Sequence, residues 1–323
     1  MLTLHRIPDG IRSNKKTRIL FTLLAGCLLL LQAPSLAKTT NNAPILKSGD
    51  LVVCGDDKVR IYDGHAARAG SAKVTWSWQA GEAKGQLPEA YFGMLRSLDD
   101  CKPVRGNTQL LITSSSGATL LLDIATKHVL FYAKTPMAHS ADLLPSGRVV
   151  VANSTHAGGN SLELYDERIP ERVLYEDTLY SGHGAVWVAD RQELVALGFD
   201  SLLIYHLQDW DTEHPRLEKV QAFPLPDEGG HELSPTSPTS SDRLLVSTHH
   251  HVWLADIQTG KFTPFEPLKD HINIKSANYD AATHALVYTI AEESWWTHHV
   301  YGMNPNFRIG IPDMRVYKVR VAQ

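Results

Sequence analysis

The sequence predicts an all-β fold: a six-bladed β-propeller of four-stranded antiparallel blades around a central channel, with seven blades as the alternative. Three observations predict it. From Gly49 to Gln323 the chain reads as short apolar strands separated by turns, with no amphipathic helix of three or more turns, which points to a sandwich, barrel or propeller. A motif then recurs as His139-Ser140-Ala141, His183-Gly184-Ala185, His231-Glu232-Leu233 and Lys275-Ser276-Ala277, at spacings of 44, 48 and 44 residues. Propeller blades repeat at about 40 to 50 residues. Finally, the third strand of several repeats closes on an aspartate, namely Asp63, Asp123, Asp166 and Asp256. Aspartate suits the first position of a type I turn because its carboxylate accepts from backbone amides further on.

In chain order, residues 1–37 read as a targeting segment. Arg6, Arg12, Lys15, Lys16 and Arg18 precede an apolar run from Ile19 to Leu31, and Ser35-Leu36-Ala37 offers a cleavage site. The run of 13 residues is shorter than the roughly 20 needed to span a bilayer, so no transmembrane span is expected in the mature chain. Leu24-Ala25-Gly26-Cys27 matches a lipobox, making a lipid anchor at Cys27 the alternative to cleavage near Ala37. The expected location is exported, periplasmic or extracellular. Residues 38–48 form an N-terminal segment and 49–323 the propeller.

Within the propeller, a first copy of the motif begins near Asp99-Asp100-Cys101, 40 residues before His139. The most legible repeat is Ala138 to Ser154. It contains a polar leading residue, a strand, a Pro145-Ser146-Gly147 turn and a β-branched second strand from Val149. Outer strands follow at Val129–Tyr132 and Phe262–Phe265. Ser234 to Thr239, rich in proline, falls where an inner strand belongs and is read as an irregular one. The last repeat, Lys275 to Gln323, shows three strands ending with Arg315 to Val321. The segment before Asp50 is therefore expected to add the missing outer strand and close the ring. A seventh blade would have to hide in Gln79 to Ser97, so six are preferred.

Five basic and one acidic residue lie in 1–37, leaving 26 basic against 34 acidic residues and a net charge of −8 for the remainder. Such a chain is a poor partner for nucleic acid or an anionic membrane. Cys54 and Cys101 remain, either as a disulfide or as two buried thiols. Phosphate-binding glycine loops, nucleophile elbows, Cys-x-x-Cys pairs and calcium loops are absent from the sequence.

In a propeller the first strand of each blade lines the axis, so its leading residues meet at one rim. His139, His183, His231 and Lys275, with Asp99 or Asp100, are expected to converge there. Loops on the same face carry His156, His249, His250, His251 and the insertion Ala291 to Met314 with Trp295, Trp296, His298 and His299. Three imidazoles could hold zinc, copper, nickel or manganese with an open position. Imidazole and ammonium donors could equally grip an anion such as an acidic sugar. Trp295 and Trp296 offer a stacking surface, and Tyr301, Asn304, Arg308 and Arg315 lie in or beside the same insertion. Trp76, Trp78, Trp187, Trp210 and Trp253 read as packing residues.

Across His139 to Ser154, His183 to Tyr205 and Gly230 to Asp256, the chain resembles an uncharacterised group of exported bacterial propellers, the domain-of-unknown-function family 6528. The resemblance covers Gly49 to Gln323 and brings no activity with it. More distantly the layout is similar to oligogalacturonate lyases. That likeness implies His139, His183 and His231 as ligands of a zinc or manganese ion and Lys275 or Tyr301 as catalytic base toward a uronate. Gluconolactonase-like propellers use carboxylates and asparagines instead, a poorer match to this rim. The sequence therefore leaves three functions: binding of a carbohydrate or other small anion at the histidine rim, a metal-dependent polysaccharide lyase or hydrolase, and an interaction scaffold in the cell envelope.

Overall fold

The computed structural model describes residues 45–237 and 242–323. The leader, the lipobox at Leu24 to Cys27, most of the 38–48 segment and residues 238–241 lie outside the described residues. No described helix is long and apolar enough to cross a membrane.

Six sheets of four antiparallel strands make six blades. The second blade holds β4 (Leu98–Val104), β5 (Gln109–Ser114), β6 (Ala118–Asp123) and β7 (Val129–Lys134); the third holds β8 (Ala138–Leu144), β9 (Arg148–Asn153), β10 (Ser161–Asp166) and β11 (Ile169–Thr178). The fourth runs through β12 (Gly184–Val188), β13 (Glu193–Leu197), β14 (Ser201–Gln208) and β15 (Arg216–Pro224). The fifth comprises β16 (Glu232–Pro235), β17 (Arg243–Ser247), β18 (Val252–Asp256) and β19 (Lys261–Pro264). The sixth comprises β20 (Ile274–Tyr279), β21 (Leu286–Ile290), β22 (His299–Met303) and β23 (Phe307–Gly310).

The first blade closes the ring. Its outer strands are β1 (Leu51–Gly55), β2 (Lys58–Tyr62) and β3 (Val74–Gln79), and its innermost strand is β24 (Val316–Val321), paired to β1 through Leu51↔Val321 and Val53↔Val319. The expected closure by the N-terminal segment is therefore corrected. The sixth blade already has its outer strand in Phe307–Gly310, which frees Val316–Val321 to cross into the first. Residues 45–50 form turns rather than a strand, with Leu46 buried in the apolar cluster between blades one and two. Gln79 to Ser97 hides no seventh blade; it holds a short 3-10 turn and α2 (Tyr91–Met94). The other short helix, α1 (Gly64–Arg68), starts where the Asp63 carboxylate accepts from Ala66 N at 3.0 Å.

The turn chemistry is local and matches the residues. Asp123, Asp166 and Asp256 accept from the amides of Thr126, Arg168 and Thr259 at 2.8, 2.9 and 2.9 Å. The Pro145 turn bends through Ser146 and Gly147, with φ of 63° and 73°, a conformation glycine adopts freely.

Six apolar clusters fill the six interfaces between neighbouring blades. The apolar runs of β9 and β13 are buried on both faces, because one face meets each neighbouring blade. Each such side chain contributes roughly 1.5–3 kcal/mol. Between blades one and two that packing is reinforced by a Cys54–Cys101 disulfide, Cα atoms 6.1 Å apart, so the disulfide alternative holds. Trp78 is buried there, while Trp76 donates from Nε1 to Ile124 O at 3.0 Å across the same seam.

Candidate functional site

One irregularity places the rim side chains. Where β4 meets β5, β8 meets β9 and β20 meets β21, the register slips by one residue between Leu98 and Asp100, Ala138 and Ser140, and Ile274 and Ser276. The residues skipped are Asp99, His139 and Lys275. Each is the extra residue of a β-bulge, which breaks the strict alternation of a strand and re-aims its side chain. On β24 the stretch between Val316 and Val319 faces the single residue Cys54 in the same manner, so Tyr317 and Lys318 both serve the axis.

The rim gathers as the spacing predicted. The His139 and His183 rings are 4.3 Å apart, His183 and His231 5.0 Å, and His231 and His249 4.9 Å, mostly edge to face. Tyr317 lies between them: its ring is 5.7 Å from His139, and its hydroxyl is hydrogen-bonded to His231 Nδ1 at 3.5 Å. The tips of His139 and His183 are fixed from behind, because each Nδ1–H donates to a carbonyl, Met137 O at 2.9 Å and Ser181 O at 2.8 Å. Their Nε2 atoms are therefore left as lone-pair acceptors. Burial lowers His139 to about 4 and holds His183 and His231 well below the usual imidazole range, with neighbouring imidazoles adding to the effect on the latter two. All three are neutral at pH 7. Asp99 is buried, which raises it to about 8, and accepts from Ser115 N.

Beneath this rim the axis is occupied by ions. Arg320 donates to Asp100 at 2.7 and 2.6 Å and pairs with Glu232, which also takes Lys318 at 3.1 Å. Lys318 reaches His183 O at 3.3 Å, and Ser140 Oγ donates to Asp100 at 3.1 Å. Two cations thus face two carboxylates. Burial alone would raise Asp100, but Arg320 holds it well below the usual carboxylate range.

Lys275 stands outside this balance. It is 1% exposed, and among the described residues its Nζ has no hydrogen-bond partner; the ammonium lies over the Trp295 ring, 4.7 Å from its centroid. Burial, with Lys318 nearby, lowers it to about 7. His231 Nε2 is likewise buried without a partner, and the His231 ring lies 6.0 Å from the same indole. Trp295 itself is 52% exposed. Its loop is held by Glu292, which accepts from Thr297, His299 and Tyr301. Trp296 turns inward onto Tyr317, ring to ring at 5.6 Å.

Two expected rim residues lie elsewhere. Tyr301 sits on β22, the third strand of its blade, stacked on Tyr288 and bonded to Glu292. Arg308 is on the outer strand β23 beside His299. Neither takes part in the rim contacts, because the Ala291 to Met314 insertion contains two blade strands, His299–Met303 and Phe307–Gly310, and these carry both residues into the blade. The histidines also carried the metal expectation. Among the described residues no three His, Cys, Asp or Glu side chains are disposed to hold a metal ion. His139, His183 and His231 pack as rings against one another, and Lys275 and Lys318 make the surroundings positive. His250 and His251 are exposed, with His251 on Asp227 at 2.7 Å, and His156 is exposed and bonded to Ala157 O.

The opposite end of the axis was missed from the sequence. A cavity of about 690 Å³ opens there, lined by Lys102, Asp142, Trp187, Asn278, Tyr279 and Arg320 among others. Its polar groups are satisfied internally, as when Lys102 donates to Ala185 O at 2.8 Å and Asn278 to Val319 O at 2.8 Å. The signal was present: three positions after Asp99, His139, His231 and Lys275 stand the polar residues Lys102, Asp142, Ser234 and Asn278, and after His183 stands Val186.

The family of unknown function DUF6528 matches residues 19–322. The chain belongs to this family. No curated protein matches the chain. Among solved structures, the β-propeller domain of Cps50 (Swd1) from Myceliophteria thermophila is similar over 76% of this chain and 94% of that one, at 10% identity and a TM-score of 0.46.

Proposed function

We propose that this propeller binds an acidic sugar, a hydroxyl-rich ligand with one carboxylate, at the histidine rim. The observation that carries the reading is Lys275, a buried ammonium left unpaired while the two cations below it are matched by two carboxylates. A buried charge without a partner is costly, and a ligand carboxylate removes that cost. The imidazoles refine the ligand class. With Nδ1–H committed to carbonyls, His139 and His183 offer acceptors, which suit hydroxyl donors rather than a second anionic group. Trp295 supplies an exposed face on which a sugar ring stacks. The Cys54–Cys101 bridge favours an oxidising compartment and so supports export to the periplasm or beyond.

The test is calorimetric titration with D-galacturonate and D-galactose, which share their ring hydroxyls and differ by the carboxylate. Binding of the acid alone, lost in Lys275→Met, is the expected result. Equal binding of both sugars, or unchanged binding by the variant, overturns the reading.

A further inference from the structure

The unpartnered Lys275 amine and the unpartnered Nε2 of His231 share one indole, and that juxtaposition has a chemistry beyond binding. We infer that Lys275 captures 2-keto sugar acids covalently, forming an imine between its Nζ and the ketone carbon. This rests on the reading of the rim as an acidic-sugar site and adds a bond to it.

The groups needed for the step are in place. Lysine becomes a nucleophile when burial strips its proton near neutral pH, and Lys275 is 1% exposed with nothing holding its ammonium. Its fall to about 7 leaves a large share of the amine unprotonated at pH 7 to 8. The nitrogen lone pair adds to the ketone carbon, the carbonyl π pair moves to oxygen, and that oxygen takes up a proton as nitrogen releases one. The resulting carbinolamine expels its hydroxyl, which leaves as water after protonation, and the product is the protonated imine. No oxidant or reductant is consumed. A proton carrier is required twice, and His231 Nε2, buried without a partner beside the same Trp295 ring, is placed to serve.

Charge selects the substrate class. The protonated imine keeps the one positive charge that Lys275 brings, now one carbon from the ligand carboxylate, so the ion pair of the binding reading survives bond formation. A ketone next to a carboxylate is therefore preferred over an aldehyde remote from it. The Trp295 indole covers Nζ and is half exposed, so its displacement opens the path.

The experiment incubates the full chain with 2-keto-D-gluconate and cyanoborohydride, followed by intact mass and peptide mapping, with calorimetric binding of D-gluconate measured in parallel. The expected result is one reduction-dependent adduct, a mass gain of the ligand less one oxygen, mapped to Lys275 and absent in Lys275→Met. Adducts confined to exposed lysines such as Lys73 and Lys269, while D-gluconate still binds, overturn the imine and leave the binding reading standing. Failure of D-gluconate to bind with no adduct at Lys275 overturns both. An adduct at Lys275 without D-gluconate binding upholds the imine and removes the non-covalent reading.

Discussion

Replacing Lys275 by methionine should stabilise the protein while removing its ligand. The thioether keeps most of the packing volume of the lysine stem and carries no charge. The fall of Lys275 from 10.5 to about 7, at 1.36 kcal/mol per pKa unit, corresponds to about 5 kcal/mol against the charged form. The Trp295 face 4.7 Å from Nζ returns about 2 kcal/mol of cation–π attraction. About 3 kcal/mol remains as the expected gain, which for a domain of this size raises Tm by roughly 6–10 °C. The pH dependence distinguishes this cause from better packing. The unfolded chain holds the lysine proton up to about pH 10.4, whereas the folded one releases it near 7. The penalty is thus full below pH 7, shrinks from 7 to about 10.4 and is absent above. Urea unfolding of both proteins at pH 6, 8 and 10 should show the advantage of the variant fading along the series. Destabilisation at pH 6, or an advantage that ignores pH, would falsify the account of Lys275 as an unpaired buried charge.

Further outcomes follow from other parts of the structure. Removing the disulfide by Cys54→Ala with Cys101→Ala releases a 47-residue separation and should cost about 4 kcal/mol, read as an earlier urea midpoint that reductant no longer shifts. Glu232→Gln leaves Lys318 and Arg320 short of one carboxylate and should cost about 3–5 kcal/mol. Adding Lys318→Met to that variant should recover part of the loss in a thermal scan, and no recovery would mean that the network is not charge-limited. D-galacturonate should bind more weakly as pH rises from 6 to 9, since the free Lys275 loses its proton near 7; a flat calorimetric profile would count against an ion pair.

The blades were legible because each is a local event. Alternating apolar strands, an aspartate turn and a leading polar residue fall within some 45 residues of one another, and the leading positions His139, His183, His231 and Lys275 did converge. What was hidden is non-local. Phe307–Gly310 is a four-residue strand inside an insertion with no repeat signal, and missing it assigned β24 to the wrong blade. With β24 misplaced, Tyr317, Lys318 and Arg320 could not be seen as axial residues. The partners of Arg320 lie 220 and 88 residues away, a distance over which no sequence period speaks. The bulges escaped for another reason: a one-residue slip depends on both strands of a pair, and neither strand alone records it.

The seam between β1 and β24 has a topological consequence. Gly49 N donates to Ala322 O at 2.8 Å and Ala322 N to Asp50 O at 2.9 Å, so the two ends of the propeller lie side by side. The blades form a circle, and the break in it falls within blade one. Termini that meet are the condition under which circular permutation is tolerated. Joining residues 49 and 322 by a short linker and opening the chain in the exposed Asp211 to His214 loop would move that break to blade four while leaving every axial residue in position. In such a permutant Lys318 and Arg320 would sit mid-chain, with Glu232 still before them and Asp100, which now stands 220 residues ahead of Arg320, following after the linker.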